Sequence, residues 1–246
     1  MKRSGASAKA HVPERVQVYT AAQVRAAERP LLAAGEPLMD RAAAALAAIT
    51  QERVDDVSAR RGGLATRVLV LAGSGDNGGD ALLAAAALRN ADVAVLAVGS
   101  RVHGRGEAAA LSAGARRLEP AELQDAASRF DLIIDGILGI GASADPALRG
   151  TAREAVGMLL PAVRAGRTLV IAVDVPSGLH PDDGSADDVV LPATTTVTFG
   201  AVKAGLVRGS GPALTGEVIL VRIGLEPGLA GMEPVGEASV ARIVPR

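Results

Sequence analysis

The sequence predicts a three-layer αβα sandwich of Rossmann-like type, with a mostly parallel central sheet and helices at its N-terminal end. Three observations carry that prediction. Short, continuously apolar runs such as Leu169-Val170-Ile171-Ala172-Val173 recur along the chain, and strands buried on both faces of a parallel sheet read this way. Alanine- and leucine-rich segments of helical spacing separate them, as right-handed crossovers between parallel strands require. The first run, Val68–Ala72, opens into Gly73-Ser74-Gly75-Asp76-Asn77-Gly78-Gly79-Asp80 and then an alanine-rich stretch. A strand, a glycine-rich turn and a helix N-terminus present free N–H groups and a positive dipole end, which suits an anionic ligand.

The elements follow in order. Residues 1–17 are polar and basic, contain proline and have no apolar h-region; they read as a mobile leader, not a secretory signal. Thr20 and Gln23 predict a capping box, and Ala21, Val24, Ala27 and Leu31 recur at helical spacing. Gly35-Glu36-Pro37 interrupts, and Leu38 to Thr50 resumes as a helix. Residues 51–66, with Arg60-Arg61-Gly62-Gly63, read as a loop. Strands are expected at Val68–Ala72, Asp92–Val98, Leu132–Asp135, Leu169–Val173, Thr195–Phe199 and Glu217–Ile223, and helices at Ala81–Arg89, Arg105–Ala115, Ala121–Ser128 and Ala152–Ala165. Residues 18–225 form one domain in this reading. Residues 226–246, rich in Gly and Pro, read as a peripheral tail or linker.

Composition excludes several functions. The 246 residues are 49% hydrophobic, enough for a large core, yet Tyr19, Phe130 and Phe199 are the only aromatics. Modules that stack nucleobases on aromatic rings are thereby disfavoured. A net charge of −1 gives no basic field for nucleic acid or anionic lipid, and the apolar stretches fall short of a membrane span. Without cysteine there is no disulfide, thiolate nucleophile or cysteine metal site, which fits a cytoplasmic protein. His11, His103 and His180 form no metal-ligand spacing.

The chemistry gathers where strands end. Gly73, Gly75 and Gly78 satisfy a dinucleotide fingerprint, but the acid expected after the second strand is absent from Val98-Gly99-Ser100-Arg101. Asp76 and Asp80 would also crowd a pyrophosphate, so a nicotinamide-dependent oxidoreductase is disfavoured. Asp80 and Asn77 also read as a helix cap and a left-handed turn residue. Asp135 ends Leu132-Ile133-Ile134 and precedes Gly136-Ile137-Leu138-Gly139-Ile140-Gly141, and Asp174 ends Leu169–Val173 and precedes Val175-Pro176-Ser177-Gly178. Parallel strands deliver their C-terminal ends to one edge, so Asn77, Asp135, Asp174 and Ser177 converge on one cleft. Carboxylate, amide, hydroxyl and carbonyl oxygens suit a hard cation, not zinc. Ser177 has no histidine at a triad position. Lys203 either faces the cleft and attracts phosphate or is a solvated loop lysine.

These motifs resemble a known family. The Gly73–Asp80 loop resembles its Gly-x-Gly-Asn-Asn-Gly-Gly-Asp-Gly loop, and Asp135–Gly141 its Asp-Ala-Leu-Phe-Gly-Thr-Gly loop. Val173–Gly178 matches its Val-Asp-Ile-Pro-Ser-Gly signature, and Thr196-Val197-Thr198-Phe199 with Lys203 its Thr-Val-Thr-Phe…Lys segment. Residues 19–24 and 38–42 resemble its N-terminal helices. The chain is similar in this way, over residues 18–225, to the YjeF N-terminal domain family, the NAD(P)H-hydrate epimerases.

The resemblance implies an isomerase for metabolite repair, interconverting the R and S forms of hydrated NADH and NADPH (NADHX, NADPHX) at C6 of the nicotinamide ring. It implies Asp174 as catalytic acid/base and one potassium ion per subunit on Asn77, Asp135 and Ser177. Substrate contacts are implied for Asp76, Asn77, Gly78, Gly79 and Asp80, for Gly139, Ile140, Gly141, Ala142, Ser143, Ala144 and Asp145, and for Asp174. It also implies a homodimer through the N-terminal helices and, as functional partner, an ADP- or ATP-dependent dehydratase, in some relatives fused C-terminally. On that basis the chain is expected to be either a stand-alone epimerase or the N-terminal part of a bifunctional protein. Asp76 departs from the family Asn, Ala81 from its frequent Gly, and residues 142–145 match loosely. A non-catalytic ligand-binding scaffold domain of the same fold is the alternative.

Overall fold

A computed structural model describes residues 13–141 and 145–246. The chain runs through β1 (Glu14–Tyr19), α1 (Ala21–Ala33), α2 (Leu38–Arg60), β2 (Thr66–Ala72), α3 (Asp76–Ala86), β3 (Ala91–Ala97), α4 (Gly104–Ser112), β4 (Arg116–Arg117), α5 (Pro120–Ala126), β5 (Leu132–Gly136), α6 (Gly150–Arg164) and β6 (Leu169–Val173). It continues through β7 (Thr195–Phe199), β8 (Val202–Lys203), α7 (Gly211–Leu214), β9 (Glu217–Val221), α8 (Glu226–Leu229), β10 (Gly236–Val240) and β11 (Arg242–Val244). The main sheet has eight strands in the order β11-β9-β7-β6-β5-β2-β3-β4, every neighbouring pair parallel.

Strand patterning builds the layers. Val68, Val70 and Ala72 of β2 enter one core with α1, α2 and α3, while Leu69 and Leu71 enter the opposite core with α5 and α6. Alternate residues of a strand point to opposite faces, so a continuously apolar β2 serves both. Each such Leu, fully buried, contributes roughly 1.5–3 kcal/mol. From β2 the chain winds outward through β3 and β4, then crosses back to β5 and winds the other way. The reversal lies between β2 and β5, and a crevice opens at such a switch point beyond the strand C-termini.

The structure differs from the sequence reading at four places. Helix α3 begins at Asp76, not Ala81, so half of the expected turn is helical; an acid in a first helical turn is favoured by the dipole. Helix α2 extends to Arg60, through ten residues read as loop, because Val54, Val57 and Ser58 continue the buried face of Leu46 and Thr50. Residues 14–17, read as leader, lie in β1, which pairs antiparallel with β10 and parallel with β8 in a second, three-stranded sheet. The C-terminal stretch, read as a peripheral tail, supplies β10 to that small sheet and β11 to the edge of the large one. Val18, Val202, Ala238 and Val240 bury together with Val218 and Leu220 of β9, and this non-local packing anchors both ends of the described chain.

Candidate active site

A cavity of about 750 Å³ occupies the crevice at the switch point. Its walls come from the loop after β2, the start of α3, the loop after β5, Asp174 after β6, and α1. Helix α1 is held over it. Thr20 and Gln23 form the expected capping box, the Ala21 N–H donates to Asp182 Oδ1 at 2.6 Å, and an Arg25 guanidinium N–H donates to the Ile140 carbonyl.

The loops after β2 and β5 interlock closely. A Cβ on Gly73 would stand 1.9 Å from the Ile137 carbonyl oxygen, and one on Gly139 would stand 2.7 Å from Asn77 Oδ1. Only glycine allows this approach. Asn77 Nδ2 donates to the Leu138 carbonyl at 3.0 Å and the Val173 carbonyl at 2.6 Å, which fixes the amide between the ends of β5 and β6.

Asp135 is wholly enclosed in this lattice. Ser177 Oγ donates to its Oδ1 at 2.6 Å and the Ser177 N–H to its Oδ2 at 2.9 Å. The Ile137 N–H donates to Oδ1 at 3.3 Å, and Ser177 Oγ itself accepts from the Leu138 N–H at 2.9 Å. Burial pushes the Asp135 carboxyl above its ordinary range, opposed by the hydrogen bonds from Ser177 and Ile137. The set therefore comprises one carboxylate, one hydroxyl and one amide oxygen, joined by loop carbonyls. A carboxylate and a hydroxyl oxygen offer more lone pairs than these bonds use, and one negative charge among neutral oxygens matches a monovalent cation. An all-oxygen set of this kind suits a hard cation and not zinc.

Asp174 is held differently. Its φ of 66° lies in the left-handed region, which Asp tolerates better than most residues but at a cost of about 1–3 kcal/mol that surrounding structure must offset. The Phe199 N–H donates to its Oδ1 at 3.1 Å and Thr198 Oγ1 at 3.2 Å, and the Lys203 ammonium forms an ion pair with the same oxygen. Lys203 is 1% exposed and also donates to the Phe199 carbonyl at 2.7 Å. Neither sequence expectation for Lys203 holds: it is neither solvated nor a free phosphate ligand, but the buried counter-charge of Asp174.

The structure thus brings Asn77, Asp135, Asp174 and Ser177 together. Asp76, Asn77 and Asp80 line the cavity, with Gly139, Ile140, Gly141 and Asp145 across from them. Gly78 and Gly79 are buried in the first turns of α3. The expected contacts at Ala142, Ser143 and Ala144 lie outside the described residues. Asp80 is buried, its Oδ1 without a partner. Burial, then the charges of Asp174, Asp76, Glu28 and Asp40, push its carboxyl up to about 8. Glu28, also on the cavity wall, is raised chiefly by burial.

Glu28 and Arg25 escaped the sequence reading. Glu28 stands four residues after Val24 and seven after Ala21 on the inward face of α1. An acid interrupting that apolar stripe was the available signal. For Arg25, whose role is a contact with a distant loop carbonyl, there was none.

Comparison with known proteins bears on this geometry. Residues 35–205, more than half of the chain, match the model of the family described as YjeF-related protein N-terminus. The chain is 53% identical to the NAD(P)H-hydrate epimerase of Microbacterium testaceum over 95% of this chain and 89% of that protein. It is 49% identical to the protein of the same name from Clavibacter michiganensis, over 90% and 95% of the two. Bifunctional NAD(P)H-hydrate repair enzyme Nnr of Mycobacterium tuberculosis is 40% identical over 85% of this chain, but the match spans 41% of that protein. The crystal structure of yeast ynu0 superposes with a TM-score of 0.71 at 19% identity, covering 90% of this chain and 96% of that one; this likeness bears on the fold alone.

Proposed function

The chain belongs to the YjeF-related N-terminal family, and from its site we propose that it is an NAD(P)H-hydrate epimerase, interconverting the R and S hydrates of NADH and NADPH at C6 of the nicotinamide ring. The observation that carries this is Asp174: a carboxylate forced into a left-handed backbone, paired with a buried lysine, at the rim of a cavity of about 750 Å³. Strained backbone at a cleft is characteristic of a reacting group. Relatives at about half identity carry the name of this activity.

In this reading Asp174 moves the proton that lets the C6–O bond open and re-form on the other face of the ring. Lys203 holds it in place through the buried ion pair. The uncapped first turn of α3, from Gly75 and Asp76 onward, offers N–H groups to the hydrated dinucleotide, with Gly139 and Asp145 also on the cavity wall. Asn77, Asp135 and Ser177 would hold one potassium ion per subunit. Bound there, it would supply a fixed positive charge that orients an anionic substrate. Dimerisation, a cytoplasmic location and a dehydratase acting on the S hydrate as functional partner belong to the same proposal. Among the described residues no helix is long and apolar enough to cross a membrane.

The test is to mix pure R-NADHX with the protein and follow S-NADHX by chiral chromatography, in potassium and in a potassium-free buffer. Appearance of S beyond the spontaneous rate, faster in potassium, is expected. Binding without conversion would point to the scaffold alternative.

A further inference from the structure

Asp80 is the least explained group in the cavity. It is 5% exposed and lines the crevice, yet its Oδ1 has no hydrogen-bond partner. A buried carboxyl oxygen without a partner is costly, and Asp80 differs here from Asp135, whose Oδ1 accepts from Ser177. The groups whose charge reaches it are its own helix's Asp76, Glu28 of α1, Asp40 of α2 and Asp174 after β6. All are acids.

Resting on the epimerase reading, we propose that Asp80 is a second catalytic group, the acid that serves one face of the hydrated ring while Asp174 serves the other as base. Epimerisation at C6 suits this division, because oxygen leaves one face and returns to the opposite one. The Asp80 carboxyl gives its proton to the C6 hydroxyl. The C6–O bond breaks, its electron pair leaving with oxygen as water, and the N1 lone pair closes an N1=C6 double bond. Water then adds to the opposite face of C6, one of its protons passes to the Asp174 carboxylate, and the N1=C6 electrons return to N1. Nothing is oxidised or reduced. The enzyme ends with the proton on Asp174, the form required for the reverse epimer. The two environments differ: Asp174 is held by the buried Lys203, while Asp80 is buried among acids, which pushes its carboxyl to about 8.

The test is the pH profile of kcat/KM for R-NADHX, with wild type and Asp80→Asn. The wild type is expected to lose activity on the alkaline side through about pH 8. Asp80→Asn should lower kcat by roughly 10²–10⁴-fold and lose that alkaline limb. Wild-type turnover in H₂¹⁸O should place ¹⁸O on C6 of the product. An Asp80→Asn protein with wild-type kcat and profile would overturn the role of Asp80 alone. A wild type without an alkaline limb would do the same, even if the variant fails to fold. A wild type that forms no S-NADHX would overturn the epimerase reading and this proposal together.

Discussion

Asp135 and Asp174 end neighbouring strands, β5 and β6, and both are buried. Asp135 keeps ordinary strand geometry and is enclosed by hydrogen bonds from Ser177 and Ile137. Asp174 leaves its strand with positive φ, takes a full counter-charge from Lys203, and borders open space. The first is an integral part of two interlocked loops; the second is presented by them. Position in the fold is thus shared, and the difference in role comes from what each carboxyl touches. The same contrast separates Asp135 from Asp80, which touches no partner through its Oδ1.

The comparison breaks most visibly at Asp174. Asp174→Asn removes the proton-transferring carboxyl, and kcat is expected to fall roughly 10²–10⁴-fold. It also strands the Lys203 ammonium in the core, an expected destabilisation of about 3–5 kcal/mol. Adding Lys203→Met removes the orphaned charge, so the double variant should regain most of its thermal stability while staying inactive. Melting curves and chiral product analysis separate the two effects. A single variant as active as wild type would end the assignment of Asp174.

On the Asp135 side the expected effect is smaller and of another kind. Ser177→Ala leaves Asp135 Oδ1 without its 2.6 Å donor and the Leu138 N–H without its acceptor. About 1–3 kcal/mol of stability should go, and half-maximal activity should need more potassium. Urea titration and a potassium titration of the rate read these. Unchanged potassium dependence would detach Ser177 from the cation. Gly139→Ala tests the same wall from the other loop. Its Cβ would press on the Asn77 amide at 2.7 Å, overpacking that costs about 1–3 kcal/mol; the potassium requirement should rise here too, and an unaltered one would show that Asn77 Oδ1 faces no ion.

Most of this site was legible in the sequence because parallel topology does the placing. Once Val68–Ala72, Leu132–Asp135 and Leu169–Val173 read as parallel strands, Asn77, Asp135 and Asp174 had to meet at one edge. What was not legible depends on side-chain direction and on distant partners. Lys203 lies only four positions beyond a five-residue strand, and sequence alone does not say that its ammonium turns inward onto Asp174. The strands of the second sheet stayed hidden because β1 and β10 lie more than two hundred residues apart and are half exposed, so neither carries a strong apolar pattern. Helix α2 beyond Thr50 was masked by surface charge, which outnumbers its buried Val54 and Val57.

The smallest signal per unit of change is the pH dependence of stability contributed by Asp80. In the native protein its carboxyl keeps a proton up to about 8, against an ordinary 3.8. Between those values the native state binds more protons than the unfolded state, so stability falls as pH rises, by at most about 1.4 kcal/mol per pH unit from this group. Asp80→Asn deletes that contribution. The variant's transition midpoint, relative to wild type, should therefore climb steadily from pH 5 to pH 8 and level off above. Asp135 and Glu28, whose carboxyls are also raised, leave a slope of the same sign in both proteins, which the difference removes. A difference that stays flat with pH would mean that Asp80 is ionised in the cavity and already solvated there. The contrast with the enclosed Asp135 would then lie in hydration and not in charge.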